Sequence, residues 1–341
     1  MTATEEEESE PLTNSPTPKK QYECLEDLPG VGPATSQKLK EMGFHTIESL
    51  ATATIRELEP AGISEKKALD IISLARNSIQ LPFIRADELL KQRQNVLRLT
   101  TGSKIIDDLL GGGLETQTIT EFYGEYGSGK SQVCHQLCVN VQLPTEKGGL
   151  AAGALYVDTE NTFRTERLVA MAQHLNLDPQ QVAHNVIVAD AYTSDHQIFL
   201  IENADQIIKD NNIRLIIVDS LTAHFRSEYV GRETLAPRQQ KLNKHMHKLI
   251  RLARAFNAIA VVTNQVMAKP DVFFGDAVQP IGGHIVGHTS HTRVYLRKAS
   301  RGPVRIARLV SSPYLPDGEC VFKITQNGVE EAEENETKKS R

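Results

Sequence analysis

The sequence predicts an α/β fold, a core with a mostly parallel central sheet, preceded by a small all-helical domain. Three observations carry this. From about residue 96 onward, short apolar runs alternate with helix-length amphipathic stretches, the pattern of strands buried on both faces. From Tyr22 to about Gln80 the pattern is helical, with short Gly- and Pro-containing turns. A chain of 341 residues with 40% hydrophobic and 24% charged residues has ordinary globular composition and room for about two domains.

Each segment follows from its residues. Residues 1–20 combine Glu5–Glu8 and Glu10 with Ser, Thr and Pro, and such a stretch has too little apolar surface to order itself. Residues 21–80 read as two helical hairpins. In the first, Leu28-Pro29-Gly30-Val31-Gly32-Pro33 precedes a helix from Ala34 to Met42, stopped by Gly43. A degenerate copy runs through Ile47–Leu58, Pro60-Ala61-Gly62-Ile63 and a helix that Ser64 caps. Residues 81–95 form a linker, 96–326 the core, and 327–341 a second acidic tail. Expected core strands are Thr118–Tyr123, Ala154–Val157, Asn185–Val188, Leu215–Val218, Ala258–Thr263, Thr292–Arg297, Arg305–Val310 and Cys320–Ile324. The last three are closely spaced and alternate polar with apolar, as an antiparallel extension does.

Charge excludes a uniformly basic coat, since the net value is −5. The two tails, with ten glutamates against five basic residues, account for all of it. Without Trp and with 5% aromatics, a base-stacking platform is not expected. No apolar run reaches the ~20 residues of a membrane span, and the acidic start is unlike a secretory signal. Cys24, Cys134, Cys138 and Cys320 form no CxxC pair, so they read as buried thiols of a reducing, cytoplasmic compartment.

Gly124-Glu125-Tyr126-Gly127-Ser128-Gly129-Lys130-Ser131 fits G-x-x-x-x-G-K-[ST] and sits between a strand and a helix that continues with Gln132. Its glycines free backbone N–H groups for phosphates, Lys130 is placed for the β- and γ-phosphates, and Ser131 for Mg²⁺. Leu215-Ile216-Ile217-Val218-Asp219 ends a strand in a carboxylate where α/β sheets bind ligands, and Asp219 is a candidate for the same Mg²⁺. Val157-Asp158-Thr159-Glu160 ends another strand. Its carboxylates either polarise an attacking water or cap the next helix.

Gly30 and Gly32 are placed either to offer N–H groups to a DNA phosphate or only to join packed helices. Phe225–Arg254 breaks the neutrality of the body, with eight basic residues against two acidic ones, a net of +6. Its first half, SEYVGRETLAPRQQ, reads as a loop whose arginines suit phosphates, and its second half as an amphipathic helix. In that helix Leu242, Met246, Leu249, Ala253 and Phe256 point inward and Lys241, Lys244, Lys248 and Arg251 outward. Gln265 to His288 shows little regular pattern, and His284, His288 and His291 lack the spacing and the carboxylate of a metal site.

Several of these pieces together, LPGVGPATSQKL, GEYGSGKSQVCHQL, YVDTENTFRTERL, LIIVDSLTAHFRSEYVGRETLAPRQQ, TNQV and SSPYLPDGE, resemble the RadA-type recombinases, kin of bacterial RecA. The resemblance spans about Leu25 to Ile324. It implies a RecA-like P-loop ATPase core behind a helix-hairpin-helix domain, with ATP and Mg²⁺ bound between protomers. By the same resemblance Glu160 is the water-activating carboxylate, Arg167 packs on adenine, and Gln265 links the γ-phosphate to a second DNA loop, 265–287. His288 senses nucleotide across the interface, and Pro316 and Asp317 cap it from the adjacent subunit. Arg226, Arg232 and Arg238 fall on a first DNA loop. Phe83 and Ala86 fit the Phe-x-x-Ala motif that docks one protomer on the next. Ser311 stands where the family carries an aspartate, which weakens any monovalent-cation site. The implied activity is ATP-dependent pairing and exchange of single- and double-stranded DNA by a homo-oligomeric filament or ring. The rival reading is a regulatory paralogue that binds ATP and DNA without exchanging strands.

Overall fold

The computed structural model describes residues 22, 24–51, 53–78, 85–231, 233–268, 278–299 and 302–332. Tail residues 1–20 and 333–341, Phe83, Arg232 and residues 269–277 lie outside the described residues. Contacts divide the chain into two units, Met1–Leu89 and Leu90–Arg341.

In the first unit, helices Pro33–Glu41, Ile47–Ala51, Ile55–Leu58 and Glu65–Ser78 enclose a core that includes Leu25, Leu28, Leu39, Leu50, Leu58 and Ile71. The stretch Ile47–Leu58 is two helices rather than one. Thr54 and Glu57 close a capping box that starts a fresh helix, the Thr54 N–H donating to Glu57 Oε2 at 2.8 Å. Gly30 adopts φ +88°, a left-handed turn that suits glycine. Gly32 is the N-cap of Pro33–Glu41, and Pro33 at the first helical position lacks only an N–H that would go unpaired there. Cys24 is exposed, so the expectation of four buried thiols fails at that residue; Cys134, Cys138 and Cys320 are buried. Cys24 precedes the first turn instead of lying on a face of the core.

The second unit is built on a nine-stranded sheet. In chain order the strands are β1 (Ile119–Gly124), β2 (Gly153–Asp158), β3 (Val186–Asp190), β4 (Ile213–Asp219), β5 (Ile259–Asn264), β6 (Thr292–Lys298), β7 (Val304–Ser311), β8 (Gly318–Thr325) and β9 (Gly328–Glu331). Their spatial order is β9-β8-β7-β6-β1-β5-β4-β2-β3. From β6 to β3 all neighbours are parallel, and β6 to β9 form the antiparallel extension. Alternate residues feed two cores. Leu215 and Ile217 of β4 point to one face, Ile216 and Val218 to the other, and β2 and β5 divide likewise. The helices used below are α1 (Lys130–Asn140), α2 (Thr165–His174), α3 (Ser194–Glu202), α4 (Ala204–Asp210), α5 (Ala223–Glu228), α6 (Leu235–Ala255) and α7 (Gly283–Thr289). Among the described residues no helix is long and apolar enough to cross a membrane.

Three expectations are corrected. The stretch read as a loop, SEYVGRETLAPRQQ, is helical at both ends: α5 runs on through Glu228 and α6 begins at Leu235, so Arg238 lies in its first turns. Pro237 looks like a breaker but occupies the first turn, where its missing N–H costs nothing. The segment from Gln265 to His288 is also more regular than it reads. Val266–Ala268 pairs antiparallel with Val278–Pro280, and α7 follows. Lastly, Gly328–Glu331 is a strand paired with β8 rather than acidic tail, because Val329 turns into the core.

Candidate functional site

Where β1 ends, the chain turns through Gly124–Gly129 into α1, beside the C-terminal ends of β2, β4 and β5, and an open cleft of about 740 Å³ lies there. A Cβ on Gly124 would sit 2.0 Å from the Leu296 carbonyl oxygen, and one on Gly129 would sit 2.4 Å from Ile324 Cδ1. At Gly124 the backbone therefore passes where no side chain fits, and at Gly129 a side chain would have to displace Ile324. Gly129, at φ +109°, is also the N-cap of α1. A loop whose backbone N–H groups precede a helix N-terminus suits an anion.

Of the residues singled out from sequence, Tyr126, Gly127, Gly129, Lys130, Ser131, Gln132, Glu160, Arg167, Asp219 and Gln265 all line this cleft. Lys130 Nζ donates to the carbonyls of Gly124 and Glu125, each at 2.9 Å. Burial lowers its pKa, against the opposing pull of Asp219 and Glu160. Asp219 is buried at the end of β4, where it accepts from the Tyr156 hydroxyl at 2.5 Å and from the Thr263 hydroxyl. Its peptide bond to Ser220 is cis.

The acidic pair at the end of β2 is split by its surroundings, and neither carboxylate caps α2, whose N-cap is Arg164. Asp158 is buried and accepts from the backbone N–H groups of Glu160 (3.0 Å) and Phe163 (2.8 Å), so it shapes the turn. Glu160 faces the cleft and accepts from Gln265 Nε2 at 2.8 Å. Burial, helped by the charge of Asp219, raises the Glu160 pKa, while the Gln265 amide opposes this. At the other end of the cleft, Arg167 of α2 donates through Nε to Gln132 Oε1 at 2.6 Å. Its terminal nitrogens reach the carbonyls of Thr325 (2.7 Å) and Gln326.

Other candidates lie apart from the cleft lining. Gly124, Glu125 and Ser128 belong to the loop itself. His288 is exposed on α7, and Pro316 and Asp317 are exposed between β7 and β8. Arg226 is exposed on α5 and Arg238 half-buried on α6, with its Nε unpaired. Lys241, Lys244 and Lys248 pair with Asp195, Glu202 and Asp205 of α3 and α4 at 2.6, 2.8 and 2.7 Å. That face of α6 is therefore a neutralised one. In the first unit, Gly30 borders a shallow pocket with Lys67, Asp70 and Asn77, while Gly32 does not. Ala86 is exposed at the start of the helix Ala86–Gln92. Among the described residues no group of His, Cys, Asp and Glu is arranged to hold a metal by itself.

His135 is a cleft residue that sequence reading missed. Its Nδ1 donates to the Ser131 carbonyl at 2.6 Å and its Nε2 accepts from the Arg164 N–H at 3.3 Å. That pair of bonds requires the neutral ring, and burial lowers its pKa in the same sense. The ring stacks on Phe163, so it ties the start of α1 to the turn after β2. Its position one helical turn beyond Ser131 was the available signal.

A model of the Rad51 family matches residues 92–332, and a SAM-like helix-hairpin-helix tandem model matches residues 23–77. The protein named DNA repair and recombination protein RadA from Aeropyrum pernix is 52% identical over 316 residues, 92% of this chain and 99% of that one. The RadA proteins of Ignicoccus hospitalis and Metallosphaera sedula are each 52% identical, over 323 and 318 residues, covering 93% of this chain and 98% of theirs.

Proposed function

This chain belongs to the Rad51 family, and on that premise we propose that it is a DNA-dependent ATPase of recombination and repair. We infer further that it assembles on single-stranded DNA and exchanges strands with a duplex. The observation that carries the reading is the convergence of Lys130, Glu160, Asp219 and Gln265, from four separate segments, on one cleft behind a glycine-walled loop.

The residues fit a nucleoside triphosphate with Mg²⁺. Gly124–Ser131 forms the phosphate cradle, Ser131 and Asp219 are the oxygen donors for the ion, and Arg167, beside Gln132, forms the base end. Mg²⁺ supplies charge neutralisation of the phosphates when bound. Lys130 adds a point charge from the cradle wall. Glu160 accepts a proton from water, and Gln265 holds that carboxylate in place. Pro316, Asp317 and His288 would act from a neighbouring copy, docked through Phe83 and Ala86. Gln265 opens the segment that leads through Val266–Ala268, so a change at Glu160 reaches a DNA-facing region by one hydrogen bond. Location in the cytoplasm, at the nucleoid, follows from DNA as partner.

DNA contacts should be mainly to phosphates, through Arg226, Arg232 and Arg238 and, in the first unit, the turn at Gly30 and Gly32. Arg226→Ala or Arg238→Ala should weaken single-strand binding and lower the slope of log K against log salt by about 0.7 to 1. Anisotropy titrations across salt check this, and an unchanged slope removes the residue from the interface. The regulatory-paralogue reading is not favoured by relatives that carry the RadA name over nearly their whole length. An exchange assay with ATP, a single strand and a homologous duplex tests the proposal as a whole, and ATP turnover without joint-molecule formation would reject the strand-exchange claim.

A further inference from the structure

Glu121, in the middle of β1, is fully buried, and a carboxylate there persists only with good partners. Its Oε2 accepts from Arg293 Nε of β6 at 2.7 Å, and its Oε1 accepts from Asn264 Nδ2 at 2.9 Å. The Arg293 guanidinium also lies 5.2 Å from the Tyr123 ring centroid and packs at the Gly287 site of α7. No motif noted in the sequence includes Glu121 or Arg293, and the TNQV stretch, which contains Asn264, points to a role for Gln265 alone.

Asn264 is the hub. It ends β5, is fully buried, and uses both ends of its carboxamide. Nδ2 also donates to the Ile281 carbonyl at 2.5 Å, and Oδ1 accepts from the Thr222 hydroxyl at 2.7 Å. The next residue, Gln265, accepts the Ile281 N–H on its backbone carbonyl at 2.9 Å while its side chain reaches Glu160. Thr222 is the N-cap of α5, which carries Arg226. Its methyl lies at the Gly282 site, where Gln239 of α6 donates to the Gly282 carbonyl at 3.4 Å. One carboxamide thus bonds to the strand that feeds the phosphate loop, to the start of α5, and to the closing stem of the Val266–Pro280 segment. Turning it over would break the two bonds to Glu121 and Ile281 together, since each needs the amide nitrogen as donor.

We propose that Asn264, anchored by the buried Glu121–Arg293 pair, is the positioning residue through which nucleotide and DNA affinity are coupled; this rests on the function proposed above. Asparagine suits the place because aspartate would set a second carboxylate against Glu121 and remove two donors. Alanine would leave Glu121, Ile281 and Thr222 each short of a partner.

A purely structural cluster would lower stability alone, whereas a coupling residue changes the factor by which one ligand tightens the other. The test uses the full chain, a non-hydrolysable ATP analogue with Mg²⁺, and a fluorescent oligo-dT. Dissociation constants for each are measured with and without the other. In Asn264→Ala the tightening factor should fall at least about fivefold, and by the same amount in both directions, as linkage requires. Thr222→Val, nearly isosteric and missing one of the three bonds, should fold normally and show a smaller fall. If Asn264→Ala does not fold, Thr222→Val decides. A wild-type factor that survives in the folded variants overturns the inference alone. A wild-type chain whose DNA affinity ignores the analogue overturns the parent reading together with it.

Discussion

Lys130→Ala should abolish ATP turnover, with kcat falling at least ~10²-fold, as expected when a preorganised charge facing the reacting group is removed. Among the described residues Lys130 Nζ bonds only to the Gly124 and Glu125 carbonyls and, at 3.5 Å, to the Ser128 hydroxyl, all within its own loop. The fold should therefore keep its thermal midpoint, and the loss should be chemical. Steady-state phosphate release with saturating single-stranded DNA measures it. Undiminished DNA-stimulated hydrolysis would reject the assignment of this cleft as the ATPase site.

Glu160→Gln is the second large effect. The amide keeps the shape and can still accept from Gln265, but it cannot take a proton from water. The expected loss is ~10² to 10⁴ in kcat, with the nucleotide dissociation constant little changed. The wild-type pH profile carries an independent signature. Only the ionised carboxylate is a base, and burial together with Asp219 raises its pKa. The acidic limb of kcat should then lie above the usual carboxylate range, with activity lost as pH falls through it. Gln265→Ala removes a bond that favours the ionised form and should move that limb to still higher pH. A variant profile that coincides with the wild type would detach Gln265 from this role.

Local patterns were legible because they need no distant partner. The phosphate loop is eight consecutive residues with its own strand and helix, and the central strands β2, β4 and β5 show as apolar runs because both of their faces are covered. Asp219 and Glu160 could be found because each ends such a run. What stayed hidden depends on pairing across the chain. Glu121 reads as one charged residue in a buried strand, and its partner Arg293 lies 172 positions away. The ribbon Val266–Ala268 with Val278–Pro280 is too short to show an alternating pattern. The start of α6 was hidden by Pro237, which sequence reading takes as a stop although it sits where a helix tolerates it.

The ion pairs that tie α6 to α3 and α4 bear on how fast DNA is found. Lys241, Lys244 and Lys248 are each matched by a carboxylate within 3 Å, so at a Debye length of about 8 Å they present compact dipoles rather than net charge. Long-range attraction for a polyanion then originates at the two ends of the segment, from Arg226 and Arg238 at one end and from the exposed Arg251 and Arg254 at the other. An incoming strand of DNA would then feel two separate foci of positive charge before it makes any contact. The middle of the segment adds little to that pull, although the segment read along the chain looks evenly positive.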